Sequence, residues 1–147
     1  MLDGGYSHDV MLAASDTLAR LQRALGAALM HGDYGPHNLL LDSNACEVVL
    51  VADWEFAELL GRPIPDLAWA EWVVRMHHPE QVQSIEALFA GYGHRPPSQE
   101  LLAAMVERCS AFAARAQLRG DPSARRLWEQ RRAICVSMGR GRGLNAG

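Results

Sequence analysis

Helical spacing breaks down at one place along this chain, and the residues found there limit what it can fold into. Before the break, Met11, Ala14, Leu18, Leu21, Leu25 and Ala28 recur at intervals of three and four, which predicts one buried face of an α-helix. Residues 31–38 then read His31-Gly32-Asp33-Tyr34-Gly35-Pro36-His37-Asn38, and Gly32 and Gly35-Pro36 stop any helix. Two aliphatic runs follow, Asn38-Leu39-Leu40-Leu41 and Val48-Val49-Leu50-Val51, with the turn-forming Asp42-Ser43-Asn44 between them. They predict the two strands of a hairpin, with Asp53-Trp54-Glu55 directly behind the second.

Helices resume afterwards. Residues 61–65 predict a rigid loop, and Asp66 stands where it would cap a helix from residue 67 to about 76. Pro79 opens a helix carrying Val82, Ile85 and Leu88-Phe89, which Gly91-Tyr92-Gly93 stops. Ser98 is placed to cap a long helix with Leu101, Met105, Cys109 and Phe112 on one face. Asp121-Pro122 begins a last helix through Leu127, Trp128 and Ile134. The expected fold is mainly α with a small β-hairpin (α+β), a single domain over residues 1–147 whose ends, 1–8 and 139–147, are flexible. At 147 residues the chain has room for one good core and not for two ordinary domains.

Composition narrows the function classes. A net charge of −3 gives no reason to expect a nucleic-acid partner. Three cysteines, Cys46, Cys109 and Cys135, are odd in number, widely spaced and in apolar surroundings, which fits buried thiols and neither a disulfide framework nor a zinc site. No signal peptide opens the chain and no apolar run reaches the roughly 18 residues of a membrane span. A cytoplasmic protein without a membrane partner is the expectation.

Asp33, Asn38 and Asp53 carry the chemistry. Any one of them alone reads best as a turn or strand-end residue. Together, with the spacing Asp-x-x-x-x-Asn and a hairpin that folds Asp53 back toward Asn38, they offer oxygen ligands for Mg²⁺ beside a carboxylate that faces an incoming hydroxyl. These are parts that phosphoryl transfer requires.

At these residues the chain resembles the aminoglycoside phosphotransferase and choline kinase-like family of small-molecule kinases. His31-Gly32-Asp33 through Asn38 is similar to that family's catalytic loop, a relative of the protein-kinase H-R-D-x-x-x-x-N segment. Asp53-Trp54-Glu55 stands where protein kinases carry Asp-Phe-Gly, and Gly61, Pro63 and Asp66-Leu67-Ala68-Trp69 resemble the Gly-x-Pro-x-x-Asp-Leu-Ala segment that follows in the family. The resemblance spans roughly residues 11–132 and implies the carboxy-terminal lobe of a protein-kinase-like fold. It implies that Asp33 orients or deprotonates an acceptor hydroxyl and that Asn38 and Asp53 hold the Mg²⁺ ions bridging the phosphates of ATP. It further implies that His31 packs beneath the loop and that Asp66 hydrogen-bonds the loop backbone. Gly32 replaces the arginine of protein kinases, so the implied acceptor is a small-molecule hydroxyl. Pro36 agrees with a common family pattern, whereas His37 holds a more variable position and receives no chemistry.

The chain has no lysine: all fourteen basic residues are arginine. Related kinases pair a lysine of an amino-terminal lobe with the α- and β-phosphates, so that nucleotide lobe is expected to be missing here. Nucleotide binding without it is doubtful, and Gly139-Arg140-Gly141-Arg142-Gly143 offers no substitute. The expected function is transfer of the γ-phosphoryl group of ATP to an alcohol, once a separate nucleotide-lobe chain or a lobe lost with a truncated gene start completes the site. Alone the chain is expected to be inactive. The alternative is a non-catalytic kinase-lobe remnant that binds or regulates, self-associating through apolar surface exposed near the hairpin. A metal-dependent hydrolase using Asp33 and Asp53 is a third reading.

Weaker patterns remain. His77-His78 with His94 invites a metal site, but a solvated helix end fits better, because adjacent side chains diverge on a helix. Trp54, Trp69, Trp72 and Trp128 suit core packing more than an aromatic pocket, and Glu55, Glu58 and Glu71 suit solvated helix faces more than a site for a cationic acceptor.

Overall fold

The computed structural model describes residues 6–26, 29–42, 46–59 and 62–142. Expectations that fell on residues 1–5, Ala28, Ser43, Asn44, Gly61 and residues 143–147 lie outside the described residues. Backbone contacts divide the chain into two compact units, Met1–Pro96 and Pro97–Gly147. The described residues are mostly helical with two small antiparallel strand pairs, an α+β composition.

The first unit opens with α1 (His8–Ala24), whose N-terminus is capped by Ser7 Oγ accepting from Val10 N at 3.4 Å. Its buried stripe is Val10, Met11, Ala14, Ser15, Leu18, Ala19 and Gln22. The stripe follows the predicted spacing through Leu18, then ends on Gln22, leaving Leu25 exposed at the helix end. Gln22 is buried because both ends of its amide are satisfied: Nε2 donates to Pro63 O at 2.8 Å and Oε1 accepts from Tyr92 OH at 2.6 Å. Strand β1 (Leu29–Met30) leads into the glycine-rich segment, and the predicted hairpin forms from β2 (Leu39–Leu41) and β3 (Val48–Val51). Leu39 pairs with Val51 and Leu40 with Leu50, before a bulge sets Leu41 opposite Val48. A pair that periodicity did not predict joins β1 to β4 (Glu58–Leu59), in register Leu29 to Leu59 and Met30 to Glu58. Two-residue strands are too short to carry an alternating pattern.

Helix α2 (Ile64–His77) starts earlier than the sequence predicts, with Pro63 at its N-cap and no side-chain cap. Asp66 therefore does not cap the helix. Pro65 to Val74 are all buried, so α2 is surrounded by protein on every side rather than amphipathic. The helix predicted from Pro79 divides into a 3₁₀ segment (Pro79–Ser84) and α3 (Ile85–Tyr92). Its three-residue stop separates into two different roles. Gly93, at φ 97°, ends the helix in a left-handed conformation. Gly91 lies inside α3, where a Cβ would run into Ser15 Oγ and the Leu12 carbonyl of α1. Ser15 Oγ in turn donates to Met11 O at 2.9 Å and lies 3.4 Å from Ala87 O of α3. Glycine at 91 thus sets how closely α1 and α3 approach.

The second unit is the helix pair α4 (Ser98–Leu118) and α5 (Pro122–Arg142). Pro97, not Ser98, occupies the N-cap of α4, with no side-chain hydrogen bond. Asp121 does cap α5, its Oδ1 accepting from Ala124 N at 2.9 Å. The inward face of α5 runs through Trp128 and Cys135, while the predicted Leu127 and Ile134 are exposed. Trp128 stacks on Phe112 with ring centroids 4.5 Å apart, and Cys109 and Cys135 are buried thiols not joined in a disulfide. Helix α5 continues as backbone to Arg142, past the residue 139 at which the sequence predicts an end. No helix among the described residues is long and apolar enough to cross a membrane.

Gly91 within α3 and Gly93 at its C-cap should respond differently to substitution. Gly91→Ala should lower stability by about 1–3 kcal/mol, because α1 and α3 must separate to admit the methyl group. Gly93→Ala meets no atom within 4 Å and should lose only the backbone cost of about 1 kcal/mol. Urea unfolding midpoints measure both, and equal losses would contradict the close approach.

Candidate active site

The site lies wholly within the first unit, and its foundation is a buried carboxylate. Asp66, in the first turn of α2, accepts from His31 N at 2.7 Å through Oδ2 and from Gly32 N at 2.9 Å through Oδ1. Both bonds are charge-assisted and shielded from water, since Asp66 and His31 are each 2% exposed. Gly32 holds φ 90°, a backbone angle that a residue with a Cβ adopts only at a cost.

His31 is set from both sides of its ring. Nε2 donates to Ala52 O at 2.7 Å and Nδ1 accepts from Asp33 N at 3.2 Å, which assigns the neutral Nε2–H tautomer. The side chain thus links the turn carrying Asp33 to the strand end carrying Asp53. Tyr34 anchors the other side of the turn, its buried hydroxyl donating to Ala14 O of α1 at 2.7 Å. Burial raises the Tyr34 pKa, with the charges of Asp66 and Asp16 adding to it.

Asp33 projects from this turn into a set of N–H donors. Trp69 Nε1 donates to its Oδ1 at 2.8 Å and His37 Nε2 lies 3.4 Å from the same oxygen. Asn38 Nδ2 donates to the Asp33 carbonyl at 2.8 Å and reaches Oδ2 at 3.2 Å. Burial by itself pushes the carboxyl pKa up, but the bonds from His37, Trp69 and Asn38 and the charge interaction with His37 outweigh it. The net effect holds Asp33 below the ordinary aspartate value, so it is a carboxylate at neutral pH.

The hairpin brings the remaining candidates together through the backbone. Ala52 N donates to Asn38 O at 2.9 Å, so Asp53 follows directly on the cross-strand neighbour of Asn38. Asp53 is exposed and holds φ 62°, the left-handed region that a non-glycine residue enters at a cost. With Asn38 Nδ2 directed at Asp33, the amide Oδ1 of Asn38 and the carboxylate of Asp53 are the hard oxygen donors at this end of the hairpin. Among the described residues no group of three or more His, Cys, Asp or Glu is arranged to hold a metal ion. Two oxygen donors nevertheless fit Mg²⁺, which commonly takes one or two protein ligands and completes its shell with phosphates and water.

Three residues at the site carried no chemistry in the sequence reading. Trp69 lies one turn beyond Asp66 on α2, a spacing of three that points both at the same loop. His37 and Tyr6 left no such signal: Tyr6 OH meets His37 Nδ1 at 3.3 Å across 31 residues of sequence. Tyr6 also stacks on His78 with centroids 3.9 Å apart, and burial followed by the charge of Asp33 pushes its pKa up to about 12. His77 packs edge-on against Trp72 at 5.4 Å, so the adjacent histidines serve aromatic contacts. Trp69 and Trp72 are buried and stacked at 4.2 Å, as core packing predicts, whereas Trp54 is partly exposed against His31. Glu71 is not on a solvated face: it is buried in α2 and bonded by Arg75 at 2.7 Å.

A mostly helical fold, with a carboxylate, an amide and a second carboxylate gathered at a turn and a hairpin, defines the class as phosphotransferase-like. The model of the APH phosphotransferase enzyme family matches residues 4–105, and the chain belongs to that family. Membership implies kinase-like phosphoryl transfer and, in general, the use of ATP and Mg²⁺. No curated protein and no solved structure matches the chain.

Two measurements follow from this geometry. Trp69→Phe removes a donor from Asp33 and should raise its carboxyl pKa toward the ordinary aspartate value, as read by carboxyl ¹³C NMR. Since the folded pKa lies below the unfolded one, the stability tied to this carboxylate is present above about pH 4 and lost as the pH falls through the folded value. Trp69→Phe should narrow that acid-side loss, and an unmoved Asp33 titration would contradict the assigned bond. Asp66→Asn leaves one buried N–H of the turn without an acceptor and should cost about 1–3 kcal/mol in urea unfolding.

Proposed function

We propose that this chain is the carboxy-terminal, catalytic lobe of a small-molecule kinase that transfers the γ-phosphoryl group of ATP to a substrate hydroxyl. The observation that carries this reading is the Asp33 carboxylate, ionised and oriented by three N–H donors, beside the oxygen donors of Asn38 and Asp53. Asp33 serves as the base that faces the acceptor hydroxyl. Asn38 and Asp53 hold Mg²⁺, which when bound neutralises charge on the nucleotide phosphates. His31 and Asp66 keep the turn in place. Acceptors are small molecules, because Gly32 provides no arginine to anchor a phosphorylated activation loop.

A nucleotide-binding lobe completes the site and supplies the lysine that these 147 residues lack. Exposed apolar side chains on the hairpin and on β4 support a covering partner there: Leu40 is 51% exposed, Val49 59%, Leu50 54% and Leu59 80%. The lobe is part of the same protein or a separate chain seated on this surface, and self-association through it belongs to the rival reading, a binding or regulatory remnant.

The test is transfer of labelled γ-phosphate from Mg²⁺-ATP to a panel of hydroxyl acceptors, including amino sugars and choline, with calorimetry of Mg²⁺-ATP binding. Asp33→Ala should lower transfer by about 10²–10⁴-fold while Mg²⁺-ATP still binds. Asp53→Ala should weaken Mg²⁺-dependent nucleotide binding itself. Absence of both binding and transfer in the full-length protein would favour the remnant, and phosphate release that needs no acceptor would favour a hydrolase.

A further inference from the structure

The two oxygens of the Asp33 carboxylate are not equivalent, and the difference is set by a residue to which the family's chemistry gives no part. Oδ1 faces two ring donors, Trp69 Nε1 at 2.8 Å and His37 Nε2 at 3.4 Å. Among the described residues Oδ2 has the Asn38 amide alone, at 3.2 Å. Trp69 is buried in α2 and fixed by its stack on Trp72, whereas His37 lies on the short 3₁₀ turn Pro36–Asn38 and needs its own support. Two contacts provide it. Tyr6 OH meets Nδ1 at 3.3 Å, and Tyr6 is itself held by stacking on His78. On the other side the ring lies against Gly35, where a Cβ would come within 2.8 Å of His37 Cε1. Gly35 has φ 174°, ordinary extended backbone, so what glycine supplies here is room for the ring in its present position. The imidazole therefore occupies a slot between Tyr6 and Gly35. The Asp33 carboxylate 3.4 Å from Nε2 accepts only, which favours a proton on Nε2, and the Tyr6 hydroxyl can serve Nδ1 whether the ring is neutral or cationic.

We infer that His37 is a positioning residue: with Trp69 it saturates Asp33 Oδ1 and leaves Oδ2 as the oxygen presented to the acceptor hydroxyl. The inference rests on the proposed kinase reading and specifies its base. In the transfer step the acceptor O–H bond breaks and its proton goes to Oδ2. The acceptor oxygen bonds to the γ-phosphorus, and the bond from that phosphorus to the β,γ-bridging oxygen breaks with its electron pair remaining on ADP. A carboxylate free to rotate would offer either oxygen at the wrong angle, and a small misplacement of a reacting group lowers the rate steeply.

Steady-state kinetics and histidine NMR on the full-length protein separate the possibilities. His37→Ala should lower kcat about 10- to 100-fold with KM for Mg²⁺-ATP unchanged. His37→Gln, which returns an N–H at similar reach, should recover most of the loss. Gly35→Ala, which keeps the imidazole but fills its slot, should reproduce the defect of His37→Ala. Unchanged kcat in His37→Ala, or no recovery in His37→Gln when circular dichroism shows both folded, would overturn the inference. In ¹⁵N-histidine spectra the wild-type His37 Nε2 should carry a proton and shift in Asp33→Ala, and a resonance indifferent to Asp33 would also overturn it. Failure of the kinase reading has a different signature, absence of phosphoryl transfer from wild type and Asp33→Ala alike, and the spectra then decide the His37–Asp33 contact alone.

Discussion

The buried carboxylate of Asp66 is the interaction on which the rest of the site depends. The backbone N–H groups at 31 and 32 of the turn face protein instead of water. One buried side chain answers both donors and fastens the turn to α2. Everything downstream inherits that placement. His31, fixed at its backbone, spans to Ala52; Asp33 then meets Trp69, one helical turn along from Asp66. Helix α2 therefore supplies the anchor of the loop and one donor to Asp33 from the same face.

The donors that orient Asp33 also matter for what they are not. Trp69 and Asn38 are neutral, the chain has no lysine, and among the described residues no arginine acts on the carboxylate. A guanidinium in bidentate contact would orient the group more strongly but would also draw it far from the basicity that proton removal needs. The neutral N–H donors Trp69 and Asn38 fix direction at a smaller loss of basicity, to which the charge interaction with His37 adds, a balance suited to the proton-accepting role proposed for Asp33.

Much of this arrangement was legible in the amino-acid order, and the parts that were not have identifiable reasons. The hairpin was readable because two aliphatic runs flank a turn, and the return of Asp53 toward Asn38 follows from antiparallel pairing alone. For Asp66 local rules assign a helix N-cap, which it does not form, whereas the family resemblance implies hydrogen bonds to the loop backbone, and its carboxylate accepts from His31 N and Gly32 N more than thirty residues away. The pair β1–β4 is too short to leave a pattern. Gly91 and Gly93 look alike in sequence, because a close helix approach and a left-handed cap both call for glycine. Tyr6 and His37 meet across the site through contacts that no spacing encodes.

Helix α1 has a consequence that reaches beyond its place in the core. Three tethers lie along it or at its start: Tyr6 to His37 just before its first turn, Ala14 O to Tyr34 near its middle, and Gln22 to Pro63 near its end. At about 1.5 Å of rise per residue, the last two stand some 12 Å apart, so α1 acts as a ruler laid beside the site. A ruler constrains length as well as composition. One residue added between Ala14 and Gln22 would rotate the far tether by about 100° relative to the near one, so the two could not be satisfied together. Point substitutions on the outer face of α1 leave that measure intact, while an insertion or deletion within it would misalign loop and helix without removing any side chain of the site.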